Sequence, residues 1–471
     1  MHADDLCFLP AFELAARIRQ RDVSPVEVTR AVLERADRLD PHLNAFCTRM
    51  DEEALAEAQR AEVAVARGDV LGPLHGVPVS IKDNIYIKGC RTTFGSKLLE
   101  NDVTAVDAPL VERLRAAGAI LIGRTNSPEF GWKGVTDNRV FGITRNPWNL
   151  ELTPGGSSGG ASAAVASGIG PIGIGTDGGG SLRIPASFCG LVGHKPSYGR
   201  VPTWPGVSIG ALRHPGGITR TVTDSALLLN VISGPDERDA GSLPADDVDY
   251  VAELDRGIDG VRIAFSPNLG YSTVHHDVAK HVALGAEAFS ETGASIERVD
   301  LDWPDPYECW KVFFYGAAAA RLGRELDQRG DLLDPGLRLA VEEAVQLTGL
   351  ESSAALVARD EFWQRVRVLF ESFDLLITPT LAVPPFPVGQ DNAPPLTDEP
   401  QGELQWTQFT YPFNLTGQPA VSLPCGWTDE GLPIGMQIIG RRFDDALVLR
   451  AARAFEIARP WHDRRPTLPE S

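Results

Sequence analysis

Hydrophobic and polar positions change period along the chain, and the change divides it. Val28, Val32, Ala36 and Leu39 recur at helical spacing behind Ser24-Pro25-Val26-Glu27. That opening is a capping-box pattern, in which Ser24 accepts from an early backbone N–H and Glu27 reaches back. A second helix is predicted from Glu53 to Arg67, stopping at Gly68, where a left-handed residue suits a helix end. After Gly72-Pro73 the period shortens. Val77 to Lys82 alternates as a strand, Leu110 to Ala117 reads as a helix, and Ala119 to Ile122 reads as a buried strand. A small-residue helix from Ala161 to Ser167, an apolar strand from Pro171 to Gly175 and a glycine loop at Gly178-Gly179-Gly180 follow. Further strands are predicted at Ile263 to Phe265, Leu375 to Ile377, Ala420 to Leu423 and Met436 to Ile439.

Between these strands, Pro306 to Phe373 reads as all-helical, and Pro379 to Pro400 is a proline-rich connection of the kind that borders a binding cleft. No repeat of about 20 to 50 residues signals a solenoid or propeller. Strands alternating with helices imply an α/β layered sheet, and the absence of a flexible linker implies one domain with helical embellishment.

Composition narrows the function classes. The 471 residues are 43% hydrophobic, enough for a large core. Lys and Arg number 44 against 63 Asp and Glu, a net charge of -19, and such a field repels phosphate backbones and anionic lipid. Neither nucleic acid nor a membrane is an expected partner. Met1 to Pro10 shows no secretory signal, and Ala161 to Gly175 is too short and glycine-rich to span a bilayer, so a cytoplasmic location is expected. Six cysteines lie scattered without a C-x-x-C pair, and nine histidines offer no paired ligand spacing. No metal is expected. His275-His276 falls at a predicted helix start, and His75 and His194 are expected to be hydrogen-bonded structural residues.

The candidate chemistry lies in Thr153-Pro154-Gly155-Gly156-Ser157-Ser158-Gly159-Gly160 and in Gly175-Thr176-Asp177-Gly178-Gly179-Gly180-Ser181-Leu182-Arg183-Ile184-Pro185. Two serines sit on glycine-lined backbone, which lets consecutive N–H groups converge on an oxyanion. Lys82, in Gly76-Val77-Pro78-Val79-Ser80-Ile81-Lys82-Asp83-Asn84, closes an apolar strand. Desolvation there disfavours its charged form and makes it a candidate neutral base; a lysine read alone would be a surface group paired with Asp83. Two decoys fail. Gly155 to Gly159 matches G-x-S-x-G, but a nucleophile elbow follows a strand, and Asn149 to Pro154 is polar and turn-like. Gly168 to Gly173 matches G-x-G-x-x-G, but its glycines precede the apolar strand, so no nicotinamide or flavin is implied.

Taken together, these blocks resemble the amidase signature family, whose hallmarks are G-G-S-S-G-G, G-T-D-x-G-G-S-x-R-x-P and an upstream K-D-N lysine, in this order. Arg145-Asn146-Pro147-Trp148, Gly193-His194-Lys195-Pro196-Ser197, Ile377-Thr378-Pro379-Thr380 and Asn414-Leu415-Thr416-Gly417-Gln418-Pro419 look like further landmarks, from about Leu71 to the C-terminal helix. The resemblance implies a single large α/β domain over 1–471, with a mixed central sheet covered by helices on both sides. Residues 1–70 would be a helical preface, 71–240 the signature core, 300–373 a helical insertion and 374–471 the rest of the core. It implies an amidase in which Ser181 is the nucleophile, Ser157 a bridging serine held by a cis peptide bond, and Lys82 the base. The N–H groups of Gly178, Gly179, Gly180 and Ser181 would form the oxyanion hole. Ser158 would support its loop, and Asp177 and Arg183 would scaffold the glycine loop. Glycine at 178, where the family carries a side chain, implies a more mobile loop here.

No cofactor is expected. The implied substrate is a small neutral or aryl carboxamide, hydrolysed to an acid and ammonia or an amine. Expected substrate contacts are Gly156, the Phe130-Gly131-Trp132 stretch, the Trp204 loop and the Trp406 to Phe413 segment, with Thr407 in it. The rival reading is the glutamine-hydrolysing subunit of a tRNA-dependent amidotransferase, whose acidic contact to the glutamine amino group aligns near Thr407, and a hydroxyl cannot neutralise an ammonium. A non-enzymatic binding module is a third class, disfavoured because no triad member is lost. The oligomeric state is left open, a homodimer included.

Overall fold

A computed structural model describes residues 3–206, 212–396 and 404–469. Thirteen strands form in chain order: β1 (Phe46–Arg49), β2 (Pro78–Lys82), β3 (Ile120–Thr125), β4 (Asp137–Asn138), β5 (Gly142–Ile143), β6 (Ile172–Asp177), β7 (Val192–Lys195), β8 (His214–Thr219), β9 (Arg262–Phe265), β10 (Ser295–Arg298), β11 (Leu375–Pro379), β12 (Ala420–Trp427) and β13 (Pro433–Gly440). β4 and β5 pair separately; the others make one eleven-stranded mixed sheet in the order β1-β3-β2-β6-β8-β7-β12-β13-β11-β9-β10. β3, β2 and β6 run parallel, β8, β7, β12, β13 and β11 alternate antiparallel, and β9 and β10 return to parallel.

Helices cover both faces. Leu375 and Ile377 of β11 join one core with Ile263, Val421 and Ile438, while the intervening Leu376 joins a second with Ala264, Ala420 and Ile439. Period-two alternation thus feeds two hydrophobic layers, one on each side of the sheet. β2 and β6 lie inside it and are buried at every position, so even the polar Ser80 and Lys82 of the alternating β2 are covered.

The predicted helices appear at Pro25–Leu43, Asp51–Arg67, Pro109–Ala116 and Gly159–Ala166, and Gly68 is left-handed as expected. Ser24 accepts from the N–H groups of Val26 and Glu27 and donates to Glu62 of the next helix. The reciprocal capping box forms instead between Thr348 and Glu351, at the start of helix Gly349–Ser372. The predicted 306–373 span holds helices Tyr307–Leu322, Leu326–Arg329, Pro335–Ala344 and Gly349–Ser372, with 3₁₀ turns between the first three. Residues 380–396 carry no helix or strand, and 397–400 of that proline-rich span lie outside the described residues.

Four sheet strands and the hairpin were not predicted. β8, His214-Pro215-Gly216-Gly217-Ile218-Thr219, has little β propensity; a Cβ on Gly216 would lie 2.6 Å from the His194 carbonyl oxygen, so glycine is what lets β7 approach. β10 is an edge strand with Ser295, Glu297 and Arg298 exposed, and shows no apolar run. No helix among the described residues is long and apolar enough to cross a membrane.

Candidate active site

β2 ends at Lys82, which is completely buried between β3 and β6. Burial first, and then the positive charge of Arg213, push its pKa well below that of an ordinary lysine, against the opposing pull of Asp177. Asp83, next in sequence, does not pair with it. Its carboxylate accepts from the Thr93 N–H at 3.1 Å and hydroxyl at 2.6 Å, and from Arg124 Nε at 2.9 Å. Lys82 therefore has no carboxylate in contact among the described residues. Its Nζ lies instead 2.7 Å from Ser157 Oγ, 3.0 Å from Ser158 Oγ and 3.5 Å from Thr176 Oγ1.

Ser157 follows a cis Gly156–Ser157 peptide bond. Thr136 Oγ1 clamps this loop, donating to the Gly155 carbonyl at 2.8 Å and accepting from the Gly159 N–H at 3.1 Å. Ser158 precedes helix Gly159–Ala166 and donates to the Thr176 carbonyl at 3.3 Å. Gly131, at φ 74°, faces Ser157; a Cβ there would stand 3.0 Å from Ser157 Oγ. Asn84 Nδ2 donates to Thr176 Oγ1 at 2.9 Å, tying the lysine motif to β6.

At the end of β6, Asp177 organises the glycine loop. It accepts from the Gly180 N–H at 2.7 Å, the Leu182 N–H at 3.2 Å and Asn414 Nδ2 at 2.8 Å, and it pairs with Arg183 through two bonds of 2.9 Å. Burial alone would raise the Asp177 carboxyl, but the Arg183 guanidinium beside it holds it well below the usual carboxylate range. Arg183 spends its remaining donors on the Thr410 carbonyl, Gln437 Oε1 and Asn414 Oδ1. One expectation is corrected here. The Gly180 N–H is committed to Asp177 and does not face an oxyanion, whereas those of Gly178, Gly179 and Ser181 have no hydrogen-bond partner among the described residues.

Mobility at Gly178 is also not what the geometry favours. Trp310 Nε1 donates to the Gly178 carbonyl at 2.9 Å, and Thr410 Oγ1 donates to that of Gly179 at 2.6 Å. A Cβ on Gly178 would come within 3.2 Å of the Phe314 ring, so a small residue makes room for that ring. Ser181, partly exposed, lines one pocket together with Ser157, Thr176 and Gly178.

Comparison with known proteins gives this geometry its context. The amidase family model matches residues 27–449. The chain is 39% identical over 477 residues to an acylamidase of Rhodococcus erythropolis, covering 99% of this chain and 98% of that one. It is 38% identical over 486 residues to a glutamyl-tRNA(Gln) amidotransferase subunit of Geobacillus thermodenitrificans, covering 97% and 98%. A bacterial aryl acylamidase of the amidase signature family superposes with a TM-score of 0.91 at 34% identity, covering 96% and 97% of the two chains. A 6-aminohexanoate cyclic dimer hydrolase superposes with a TM-score of 0.89 at 31% identity, covering 98% and 99%. The chain belongs to the amidase family. It is an amide-hydrolysing enzyme with the amidase signature fold.

Within this amidase the expected substrate contacts separate. Trp132 lines the pocket, with its Nε1 buried and without a hydrogen-bond partner among the described residues. Gly156 does not line it, because its α-carbon backs onto Val135, whose carbonyl oxygen would lie 2.6 Å from an added Cβ. Trp204 stands elsewhere, under the Arg238 guanidinium 4.6 Å from its ring centroid. Trp406 is core, stacked on Phe188 at 5.7 Å. Thr407 is buried outside the lining, its hydroxyl donating to the Leu404 carbonyl at 2.7 Å. The described part of the proline-rich connection also stays out of the lining; Phe386 and Val388 bond to Thr153 and Glu151.

Residues that the sequence did not single out complete the pocket: Phe94, Arg213, Phe314 and Arg321. Asn84 was visible only as part of the lysine motif. His75 is hydrogen-bonded as expected, whereas the buried His194 Nε2 has no hydrogen-bond partner among the described residues. His75 Nε2 lies 3.0 Å from the Ala61 carbonyl, and His194 is buried 3.7 Å from Asp445, its pKa pushed down to about 3 by burial and then by Lys195.

Proposed function

We propose that this amidase cleaves the C–N bond of a small neutral or aryl carboxamide through an acyl-enzyme on Ser181, releasing a carboxylic acid and ammonia or an amine. The observation that carries the reading is a fully buried Lys82, free of any carboxylate contact, 2.7 Å from the Ser157 hydroxyl in a pocket that also holds Ser181. A neutral amine has two N–H donors and one lone pair. The donors suit Ser158 Oγ and Thr176 Oγ1, which leaves the lone pair to accept from Ser157 O–H. Ser158 gives its own proton to the Thr176 carbonyl, so Ser157 is the hydroxyl free to relay.

Lys82 then draws the Ser157 proton as Ser157 takes that of Ser181, and Ser181 Oγ attacks the carbonyl carbon. The N–H groups of Gly178, Gly179 and Ser181 receive the oxyanion. The proton returns through Ser157 to the leaving nitrogen, the C–N bond breaks, and water repeats the sequence to free the acid. Phe94, Phe130, Trp132 and Phe314 give the acyl group apolar and aromatic walls. The acylamidase relatives carry activities of this kind in their names. A cytoplasmic site of action fits six unpaired cysteines.

Similarity to the amidotransferase protein raises glutamine as a rival substrate. The described lining holds no Asp or Glu, so the ammonium of glutamine would enter without a partner. Ammonia release by the purified chain alone, measured with benzamide-like amides, short aliphatic amides and glutamine, tests the reading. The expected order places glutamine last. Glutamine emerging first, or turnover appearing only with an added partner protein, would decide for the amidotransferase reading.

A further inference from the structure

Arg213 and Arg321 project into the pocket that holds Ser157 and Ser181. They arrive from separate parts of the fold, Arg213 just ahead of β8 and Arg321 near the end of helix Tyr307–Leu322. Arg213 is half-buried and Arg321 is exposed at the pocket mouth, and their surroundings differ from those of the arginines Arg124 and Arg183, which are fully buried. Arg124 pairs with Asp83, and Arg183 pairs with Asp177. Neither pocket arginine forms an ion pair among the described residues.

Arg213 Nη2 donates to the Asn84 carbonyl at 3.1 Å. The Arg321 guanidinium lies 4.7 Å from the Phe94 ring centroid and 4.6 Å from that of Phe130, with the Tyr86 hydroxyl as a further partner. A guanidinium offers five N–H donors, and these contacts leave several on each side chain unspent. Partial loss of water disfavours both cations, and the charge of Arg321 adds to that effect on Arg213. Two like charges at one aromatic pocket, with no ion-pair partner among the described residues, attract an anion that enters it. In a chain of net charge -19, this is a local reversal of sign placed beside the nucleophile.

We propose that the acyl portion of the substrate carries a carboxylate remote from the scissile amide, and that Arg213 and Arg321 receive it. The inference rests on the hydrolytic reading above, keeps its aryl and short-chain amides, and replaces the neutral members by those bearing one carboxylate. The aromatic walls take the carbon skeleton, and the forked donors of two guanidiniums match the two carboxylate oxygens. An ammonium on the same substrate would be repelled, which separates such amides from glutamine.

The test compares kcat/KM for 4-carboxybenzamide and benzamide, and for succinamate and butyramide. The carboxylate-bearing member of each pair is expected to be preferred by about 10-fold or more, the scale of a charge-assisted hydrogen bond. R213Q and R321Q should each bring that preference down by about 10-fold, toward parity, and R213K and R321K should retain part of it. Calorimetric binding of terephthalate against benzoate to the unaltered chain gives a reading independent of turnover and of variant folding. Equal turnover of both members, or equal binding of the two acids, would overturn the inference while leaving the hydrolytic reading intact. No turnover of any amide, with terephthalate still bound preferentially, would sink the hydrolytic reading and uphold the anion site.

Discussion

The floor of the pocket comes from three short stretches, residues 76–84, 153–160 and 175–185, whereas the facing wall comes from helix Tyr307–Leu322, the Phe94 and Phe130 turns and the segment ahead of β8. The floor is held by directed bonds. Asp177 and Arg183 are fully buried and bonded on every side, and Lys82 reaches three hydroxyls. The wall is held by ring contacts, with Trp310 stacked on Phe314 at 4.5 Å and on Tyr411 at 5.5 Å, and a single Trp310 bond reaching the glycine loop. Directed bonds fix atoms to the tolerance that proton transfer needs, while ring packing accepts changes of shape. The proposed mechanism therefore puts the chemistry in the floor and the choice of substrate in the wall.

The floor should fail hardest. Ser181→Ala is expected to abolish hydrolysis with the fold intact, and Lys82→Ala to depress it by about 10²- to 10⁴-fold, the range of general base catalysis. Because the proposed mechanism uses Lys82 as the neutral amine, the rate should be lost as pH falls through its folded-state pKa and level off above it, and burial places that limb well below the usual lysine range. A pH profile of kcat/KM, with the variants beside it, checks both. Near-full activity of Lys82→Ala at neutral pH would break the comparison.

Arg183→Met should cost about 3–5 kcal/mol of stability, since it leaves Asp177 charged and buried without its partner. Denaturant titration measures it, and a loss under about 1 kcal/mol would show that the Asp177–Arg183 frame is dispensable. A smaller and purely local effect is expected from Gly131→Ala. Its Cβ would meet Ser157 Oγ at 3.0 Å from a left-handed backbone, so kcat should fall by about 10-fold while KM moves little. Trp310→Phe should have the smallest effect, about 1 kcal/mol for the lost bond to Gly178, with a few-fold change in KM. If it lowered kcat as far as Gly131→Ala does, the wall would have to be counted as part of the chemical machinery.

The same contrast explains what the sequence discloses. Lys82, Ser157 and Ser181 stand in contiguous motifs whose glycines advertise a special backbone, and β2 and β6 are buried at every position because both faces are covered. The wall carries no such mark. Phe314, Arg213 and Arg321 look like ordinary residues of a helix and a loop, and long-range packing alone brings them to Ser181. Aromatic character misdirected the reading of Trp204 and Trp406, since a tryptophan suits a core stack or an arginine contact as well as a substrate wall. Gly180 was misjudged for a related reason. A glycine loop shows that N–H groups converge, but which of them Asp177 consumes depends on where its carboxylate folds back.

Intact-protein and peptide mass spectrometry after mixing the chain with a slowly deacylating ester tests the account most directly. An acyl adduct on Ser181, absent from Ser181→Ala and slow to form in Lys82→Ala, is the predicted result. An adduct on Ser157 or on any of the six cysteines, or its formation at full rate without Lys82, would contradict it.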